Sequence, residues 1–345
     1  DRRWITGLKA ERTFVVAPVL DLRFGTEARY DRIGKVGVTH TEDRAFVESF
    51  GLYRVNETSG ALFGEATWRP TEALRVIAGL RADAYHASVS ARDPQAVALG
   101  TGKARDAVVS PKLDVAYALS DHFELYADWG RGFHSNDVRG HFTGATVPIL
   151  VKGTGKEVGA RFQTQRLTLT ATYWWLNVGS ELRFVGDSNA VEPTGASRRH
   201  GYELVAFWRP LAWLAIDGNY TASHARYANG DHIPNAFENS AALGVSAVSE
   251  MWEASLRVRH LGPSPLIEDN SVRDKGSTVV NLRAARKFEK FEIYGDLLNV
   301  FDRRDKDIAY LYESFIPGFD AAPVDGRLSR VVEPRTLRAG ITVRF

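Results

Sequence analysis

The chain has 345 residues, with 44 basic and 42 acidic side chains and a formal net charge of +2. That balance gives no support for nucleic-acid binding, which needs a clustered basic face, and with no cysteine there are neither disulfides nor thiolate metal sites. No apolar run reaches the ~18 residues of a spanning helix, which excludes helical membrane proteins but not strand-built ones, whose alternation keeps average hydropathy low.

The first segment, at about Arg3–Val16, is strand-like and has neither an initiator Met nor an apolar leader. It reads as part of a longer protein. A short turn near Ala17–Pro18 follows, then a long connection at Asp31–Arg54. After a short turn at Arg69–Glu72, Leu74, Val76, Ala78 and Leu80 alternate with polar partners, and a long connection runs over Ala91–Arg105. Leu113, Val115, Tyr117 and Leu119 oppose Lys112 and Asp114; the short turn Leu119–His122 and the long connection Ser135–Gly153 come next. Beyond a short turn at Thr164–Leu167, Leu167, Leu169, Ala171, Tyr173 and Trp175 oppose Thr168, Thr170 and Thr172.

The pattern continues through a long connection at Gly186–Arg198, a short turn at Arg209–Ala212 and a strand with Leu214, Ile216, Gly218 and Tyr220 on one face. Arg226–Phe237 is long, Ser249–Trp252 short. Trp252, Ala254, Leu256 and Val258 then oppose Glu253, Ser255, Arg257 and Arg259. Gly262–Gly276 is long, Lys287–Lys290 short, and Asp302–Pro334 long. The last segment puts Leu337, Ala339, Ile341, Val343 and Phe345 on one face and Thr336, Arg338, Gly340, Thr342 and Arg344 on the other.

Period two over about ten residues is a strand signal that a helix cannot use. It predicts an all-β, transmembrane, antiparallel up-and-down β-barrel wall of about fifteen strands. Alternating connection lengths fit short periplasmic turns and long outer loops. The first strand would run down, and an odd number of strands leaves the wall incomplete. An open sheet in lipid costs several kcal/mol per unsatisfied backbone group. Trp68, Phe123, Trp208, Trp213, Trp252, Phe288 and Phe291 sit beside short turns and suggest an aromatic girdle; the alternative is the core of a soluble β-protein.

Three stretches resemble TonB-dependent outer-membrane receptors: SPKLDVAYALSDHFELYADWGRGFHSNDVRG (Ser110–Gly140), the region Leu261–Ser314 with its VNL and N-x-F-D patterns, and VEPRTLRAGITVRF closing on Phe345. RYDRIGKVGVTHTEDR (Arg29–Arg44) looks like one proteobacterial branch of them. The resemblance implies residues 1–345 as the C-terminal part of such a receptor, holding about the last fifteen strands of about 22, with a plugged lumen. The plug domain and TonB box would lie outside this chain. The implied partners are TonB–ExbB–ExbD acting through the plug, outer-membrane lipid and lipopolysaccharide, and barrel assembly machinery that reads Phe345. The implied location is a Gram-negative outer membrane and the implied activity uptake of a scarce nutrient, most often a ferric siderophore. A passive porin and a soluble all-β binding protein are the alternatives.

No P-loop, GxSxG, HExxH or CxxC is present, so neither catalysis nor a cofactor is expected. Candidate ligand contacts lie in the long connections. His134, Arg139 and His141 could meet an anionic ligand such as an iron chelate, or a metal directly, and the run Arg198, Arg199 and His200 could also contact a ligand; the plainer readings are solvated or lipopolysaccharide-facing residues for the first group and contact with anionic lipopolysaccharide or strand-end charge for the second. The last connection mixes Asp305, Asp307 and Glu313 with Tyr310, Tyr312 and Phe315, a surface suited to catching a nutrient, although a loop packing on its neighbours is the plainer reading. Glu268, Asp269 and Asp274 lack a calcium-loop spacing and read as surface charge, so no metal is expected. Inward Arg257, Arg259, Arg283, Arg338 and Arg344 would find partners in the lumen, in plug carboxylates or water.

Overall fold

Alternation becomes wall wherever each strand has two long neighbours. The computed structural model describes residues 2–142, 147–185, 190–316 and 318–343. In chain order the first strands are β1 (Arg2–Ala17), β2 (Leu20–Glu42), β3 (Ala45–Trp68) and β4 (Leu74–Ala91). A short helix, α1 (Pro94–Leu99), precedes β5 (Gly102–Ser120), β6 (Phe123–Ser135), β7 (Leu150–Gln163) and β8 (Leu167–Val178). Then come β9 (Glu181–Val185), β10 (Ala190–Thr194), β11 (Ser197–Leu211), β12 (Leu214–Tyr227), β13 (Asn239–Val248) and β14 (Trp252–Leu261). The last are β15 (Ser264–Pro265), β16 (Arg273–Asp274), β17 (Ser277–Lys287), β18 (Phe291–Leu298), β19 (Lys306–Ser314), β20 (Val324–Val331) and β21 (Thr336–Val343).

Fifteen of these form one sheet in the order β1-β2-β3-β4-β5-β6-β7-β8-β11-β12-β13-β14-β17-β18-β21. Every pairing is antiparallel to the next strand of the wall. β1 and β21 are its two edges, so the wall is open between them among the described residues. The expected short turns all stand on one rim. On the other rim three expected loops are themselves small hairpins: β9–β10, β15–β16 and β19–β20.

The expected long connection Asp31–Arg54 is corrected. There β2 and β3 continue as strands to a two-residue turn at Asp43 and Arg44, whose φ values of 47° and 69° are those of a type I′ hairpin turn. Polar residues on both faces hid this extension from a period-two reading.

The register between β8, β11 and β12 separates two chemistries. One face stacks Leu167, Trp208 and Ile216, then Leu169, Ala206 and Gly218, then Ala171, Leu204 and Tyr220. Above them come Tyr173, Tyr202 and Ala222, then Trp175, His200 and His224, and finally Asn177, Arg198 and Arg226. The opposite face carries Thr168, Thr170, Thr172, Glu203, Asp217, Asn219 and Thr221. The apolar face has no layer over it: Leu62 is 68% and Leu204 48% exposed.

The charged face is laced by the wall's own side chains. Arg257 meets Asp217 at 2.6 Å, Arg259 meets Asp307 at 2.6 Å, and Arg283 and Arg338 share Asp296 at 3.1 and 3.3 Å. For Arg257, Arg259, Arg283 and Arg338, neighbouring strands and the β19 hairpin supply carboxylates on that same face. Arg344 and Phe345 lie outside the described residues.

Leu204 and Val205 are adjacent and point to opposite faces. In the full-length protein folded into lipid vesicles, Leu204→Arg is expected to cost about 2–4 kcal/mol. Val205→Arg, between Thr170 and Asn219, is expected to cost far less. Equal losses in denaturant unfolding would show that both faces meet the same surroundings.

Candidate functional site

The long-loop rim holds the groups that can meet a ligand. Between β6 and β7 the chain folds back over the charged face of the upper wall. Asn136 starts the fold: its backbone N–H donates to the Ile149 carbonyl and its side-chain amide to the Pro148 carbonyl, each at 2.8 Å. Asp137 then caps the 3-10 turn Val138–His141 by accepting the Arg139 backbone N–H. Val138, Ile149 and Leu150 bury Tyr53, Val55, Ala87, Val89, Ala104 and Val108 beneath them. This is the principal hydrophobic cluster, and it fixes the loop to the wall.

α1 joins the same cluster through Ala96. Its N-cap, Asp93, accepts the Ser49 hydroxyl at 2.5 Å, the Ala96 N–H at 2.7 Å and the Leu52 N–H at 3.0 Å. The Ser49 hydroxyl and these amides hold the Asp93 carboxyl below the usual carboxylate value. One aspartate thus ties the β4–β5 connection to the flank of β3.

The first predicted trio does not converge. His134 is an exposed residue of β6, paired with Val151. Arg139 donates to Asp137 from Nε at 3.0 Å and lies 5.9 Å from the Tyr53 ring centre. Burial raises the Asp137 carboxyl, but the Arg139 guanidinium and backbone N–H outweigh it and leave it below its ordinary value. His141 donates from Nδ1 to the Val147 carbonyl at 2.9 Å. Arg139 and His141 therefore hold the loop's own shape.

The run at 198–200 is split by its strand. Arg199 turns to the face where Glu181 stands and donates to both its carboxylate oxygens at 2.5 Å. Arg198 and His200 turn to the apolar face, opposite Arg226 and His224.

The last hairpin, β19–β20, carries Tyr310 and Tyr312 on one face and Glu313 on the other, with Asp307 at an irregularity near its base. Asp307 is taken by Arg259, while Asp305 accepts the Arg303 Nε at 3.0 Å and the Thr278 N–H. Tyr310, Glu313 and Phe315 are exposed and Tyr312 is half-buried.

The base of that hairpin is closed by Asn299, 1% exposed with φ +48°. Its side-chain amide donates to the carbonyls of Arg303 at 2.9 Å and Glu333 at 2.8 Å, and its oxygen accepts the Arg303 N–H at 3.0 Å. Asp302 accepts the Arg335 N–H at 3.0 Å. The N-x-F-D pattern is thus a clasp between the start and the end of the last outer hairpin.

Below the folded loop the charged face holds a cleft of about 610 Å3 that the sequence reading missed. Arg3, Lys9, Arg29 and Arg81 are balanced there by Glu27, Asp31, Glu57 and Asp83. Asp31 takes Arg3 and Arg29 at 2.7 Å each; Arg81 bridges Asp83 at 2.8 Å and Glu27 at 2.6 Å. The balance gives the cleft no net charge, so it does not by itself select an anion. A signal was available: opposite charges two apart on a strand share a face, as in Arg29–Asp31, Arg81–Asp83, Lys9–Glu11 and Lys112–Asp114.

At the short-turn rim Trp68, Trp213, Trp252 and Phe288 are exposed and Phe123 is half-buried. Phe288 stacks on Phe291 at 4.4 Å, and the Arg286 guanidinium lies 4.9 Å from the Trp252 ring and 5.1 Å from that of Phe288. Asp269 and Asp274 accept the N–H groups of Ser271 and Gly276 in their own turns.

The family model described as TonB dependent receptor-like, beta-barrel matches residues 3–300. Three solved structures share the fold. The ferric yersiniabactin uptake receptor FyuA from Yersinia pestis has a TM-score of 0.76 at 20% identity over 98% of this chain and 53% of its own. The siderophore receptor PiuA from Acinetobacter baumannii has 0.74 at 13% over 98% and 55%. The ferric-catecholate import receptor Fiu from E. coli K12 has 0.73 at 16% over 99% and 55%. The chain spans about half the length of these structures. No curated protein sequence matches it.

Two outcomes follow from the clasp and the cap. Asn299→Ala, which removes the side-chain partner of backbone groups of Arg303 and Glu333 and the buried amide that joins them, is expected to destabilise the full-length protein by on the order of 1–3 kcal/mol. It should also speed proteolytic nicking within 306–331; unchanged stability and nicking would contradict the clasp. Because the Asp93 carboxyl is lowered, its contribution is present above the ordinary carboxylate value and is lost as pH falls through the lowered native one. Amide exchange over residues 96–100, corrected for intrinsic rate, should lose protection only in that acid window, and Asp93→Asn should flatten the profile.

Proposed function

Because the chain belongs to the TonB-dependent receptor-like β-barrel family, we propose that it builds the wall and outer mouth of an energised nutrient-uptake receptor. The family places it in the outer membrane of Gram-negative bacteria. One observation supports the assignment most: a fifteen-stranded wall whose uncovered apolar face is backed by a face of paired charges. The first face suits hydrocarbon and the second an aqueous or plugged interior.

In this orientation the short-turn rim faces the periplasm and the folded loops face outward. Trp68, Phe123, Trp213, Trp252 and Phe288 then stand at the inner membrane–water boundary, where aromatic rings keep one side in lipid and one in water. Sequence N-terminal to these residues would supply the plug, the TonB box and the strands that join β1 to β21. TonB with ExbB and ExbD would act on the plug and shift its population toward an open state. Phe345 would serve the assembly machinery. The wall's role is transport, with no catalytic step.

The cargo we propose is a ferric siderophore, supported by the names of the structural neighbours. Exposed Tyr310 and Glu313 on the last hairpin and exposed His134 near the end of β6, just before the folded loop, are the contacts offered to it. Arg139, His141 and Asp307 would shape that surface through the bonds they already make, as would Arg199; Tyr312 would add to it from its half-buried position.

Cells lacking the gene are expected to grow poorly on limiting iron with one of a panel of ferric siderophores as the sole source. Labelled uptake should return with the wild-type gene and fail without TonB. Uptake that persists without TonB would indicate a passive channel, and indifference to every iron chelate would remove the cargo assignment.

A further inference from the structure

We propose that the outer connections after β12, β14 and β18 form one rigid pad, and that Arg273 is the positioning residue that locks the cargo-facing hairpin β19–β20 to it. The inference rests on the uptake reading above and concerns how its capture surface is held. The first seam is backbone. The His232 N–H donates to the Glu268 carbonyl and the Asn235 N–H to the Pro265 carbonyl, each at 2.8 Å, and the Glu238 N–H donates to the Pro263 carbonyl at 3.0 Å. The connection after β12 is thereby stitched along the β15–β16 hairpin. Ile233, Ser264 and Leu266, all within the segments so joined, are buried. The second seam ties the base of the last hairpin to the wall beneath that hairpin: Asp305 accepts the Thr278 N–H at 3.3 Å and Asp307 pairs with Arg259 at 2.6 Å.

Arg273 touches all three connections. Its guanidinium donates to Glu238 in the first and to Asn270 in the second. Its carbonyl accepts the Arg327 guanidinium, on β20 of the last hairpin, at 3.0 Å. Its own strand, β16, pairs it with Pro265 at the backbone seam. The planar guanidinium presents several donors in a fixed fork, so it can hold Glu238 and Asn270 together. Arg273 and Glu238 are both partly open to solvent, and such a pair contributes little to overall stability. Its effect is placement. Connections joined in this way do not close on a cargo one by one. Tyr310 and Glu313 are presented in a preset arrangement, which spares the ordering cost that a loose loop would meet on binding.

The test is amide exchange on the full-length receptor in detergent, without cargo, with heat-modifiable migration in gels to show which variants are folded. Arg273→Gln should lower protection on the order of tenfold in 232–238 and in 306–314 and 324–331 together, with the denaturant midpoint unchanged. Loss confined to 264–274 would show three independent loops and overturn the pad. Arg273→Glu combined with Glu238→Arg should recover protection in 232–238 beyond either single change, and no recovery would overturn the pairing. Arg327→Ala, a second variant, should loosen 306–314 and 324–331 alone; an unchanged hairpin would overturn the link. In cells, uptake of the iron-55 chelate that supports wild-type growth should need on the order of tenfold more chelate for half-maximal rate in Arg273→Gln, at an unchanged maximal rate. A fall in maximal rate alone would overturn the positioning role. Exchange is read without cargo, so a coupled pad in a receptor that takes up no iron would count against the transport reading and leave the pad standing.

Discussion

Hydrocarbon offers no hydrogen bonds, and this wall is arranged around that fact. Each backbone group at membrane depth has to be satisfied by a neighbouring strand, which the continuous antiparallel ladder from β2 to β18 achieves. Within the wall, among the described residues, β1 and β21 are the strands that keep a free edge. The same constraint sorts the side chains. Leu, Tyr and Trp are left uncovered on one face because lipid covers them at no cost, while charges retreat to the other.

The retreat creates its own problem, since charges gathered on one surface need counter-charges. The wall meets it locally. Arg81 bridges Asp83 two residues along and Glu27 on a nearby strand, and Asp296 serves Arg283 and Arg338 from two strands. Such exposed pairs contribute little stability individually. Their effect is to leave the interior surface near neutrality, so that discrimination falls to the outer loops. Those loops are rigid where packing or capping holds them: Val138, Ile149 and Leu150 over the upper wall, Asp93 at the flank of β3, Asn299 at the base of the last hairpin.

Legibility in the sequence followed solvent contrast. Residues 167–175 and 252–259 were plain because one face is greasy and the other wet. Residues 37–48 were opaque because both faces of β2 and β3 are exposed there, and alternation carries no contrast. The run Arg198, Arg199 and His200 looked like one cluster in sequence; a strand's two-residue period divides it between opposite sides of the wall. Asn299 was visible only as part of a family pattern, because its role depends on Glu333, distant in sequence. The folded β6–β7 loop was hidden for a similar reason: its partners Tyr53 and Val89 come from other strands, and no local spacing announces them.

The Asn299 clasp also has an evolutionary side. By fixing residue 303 beside residue 333, it turns everything between them into a closed excursion whose span cannot shift the pairing of β18 with β21. Insertions, deletions and new side chains can accumulate in that excursion while the staves of the wall stay aligned. Change in the exposed surface is thereby separable from the alignment of the scaffold at this clasp.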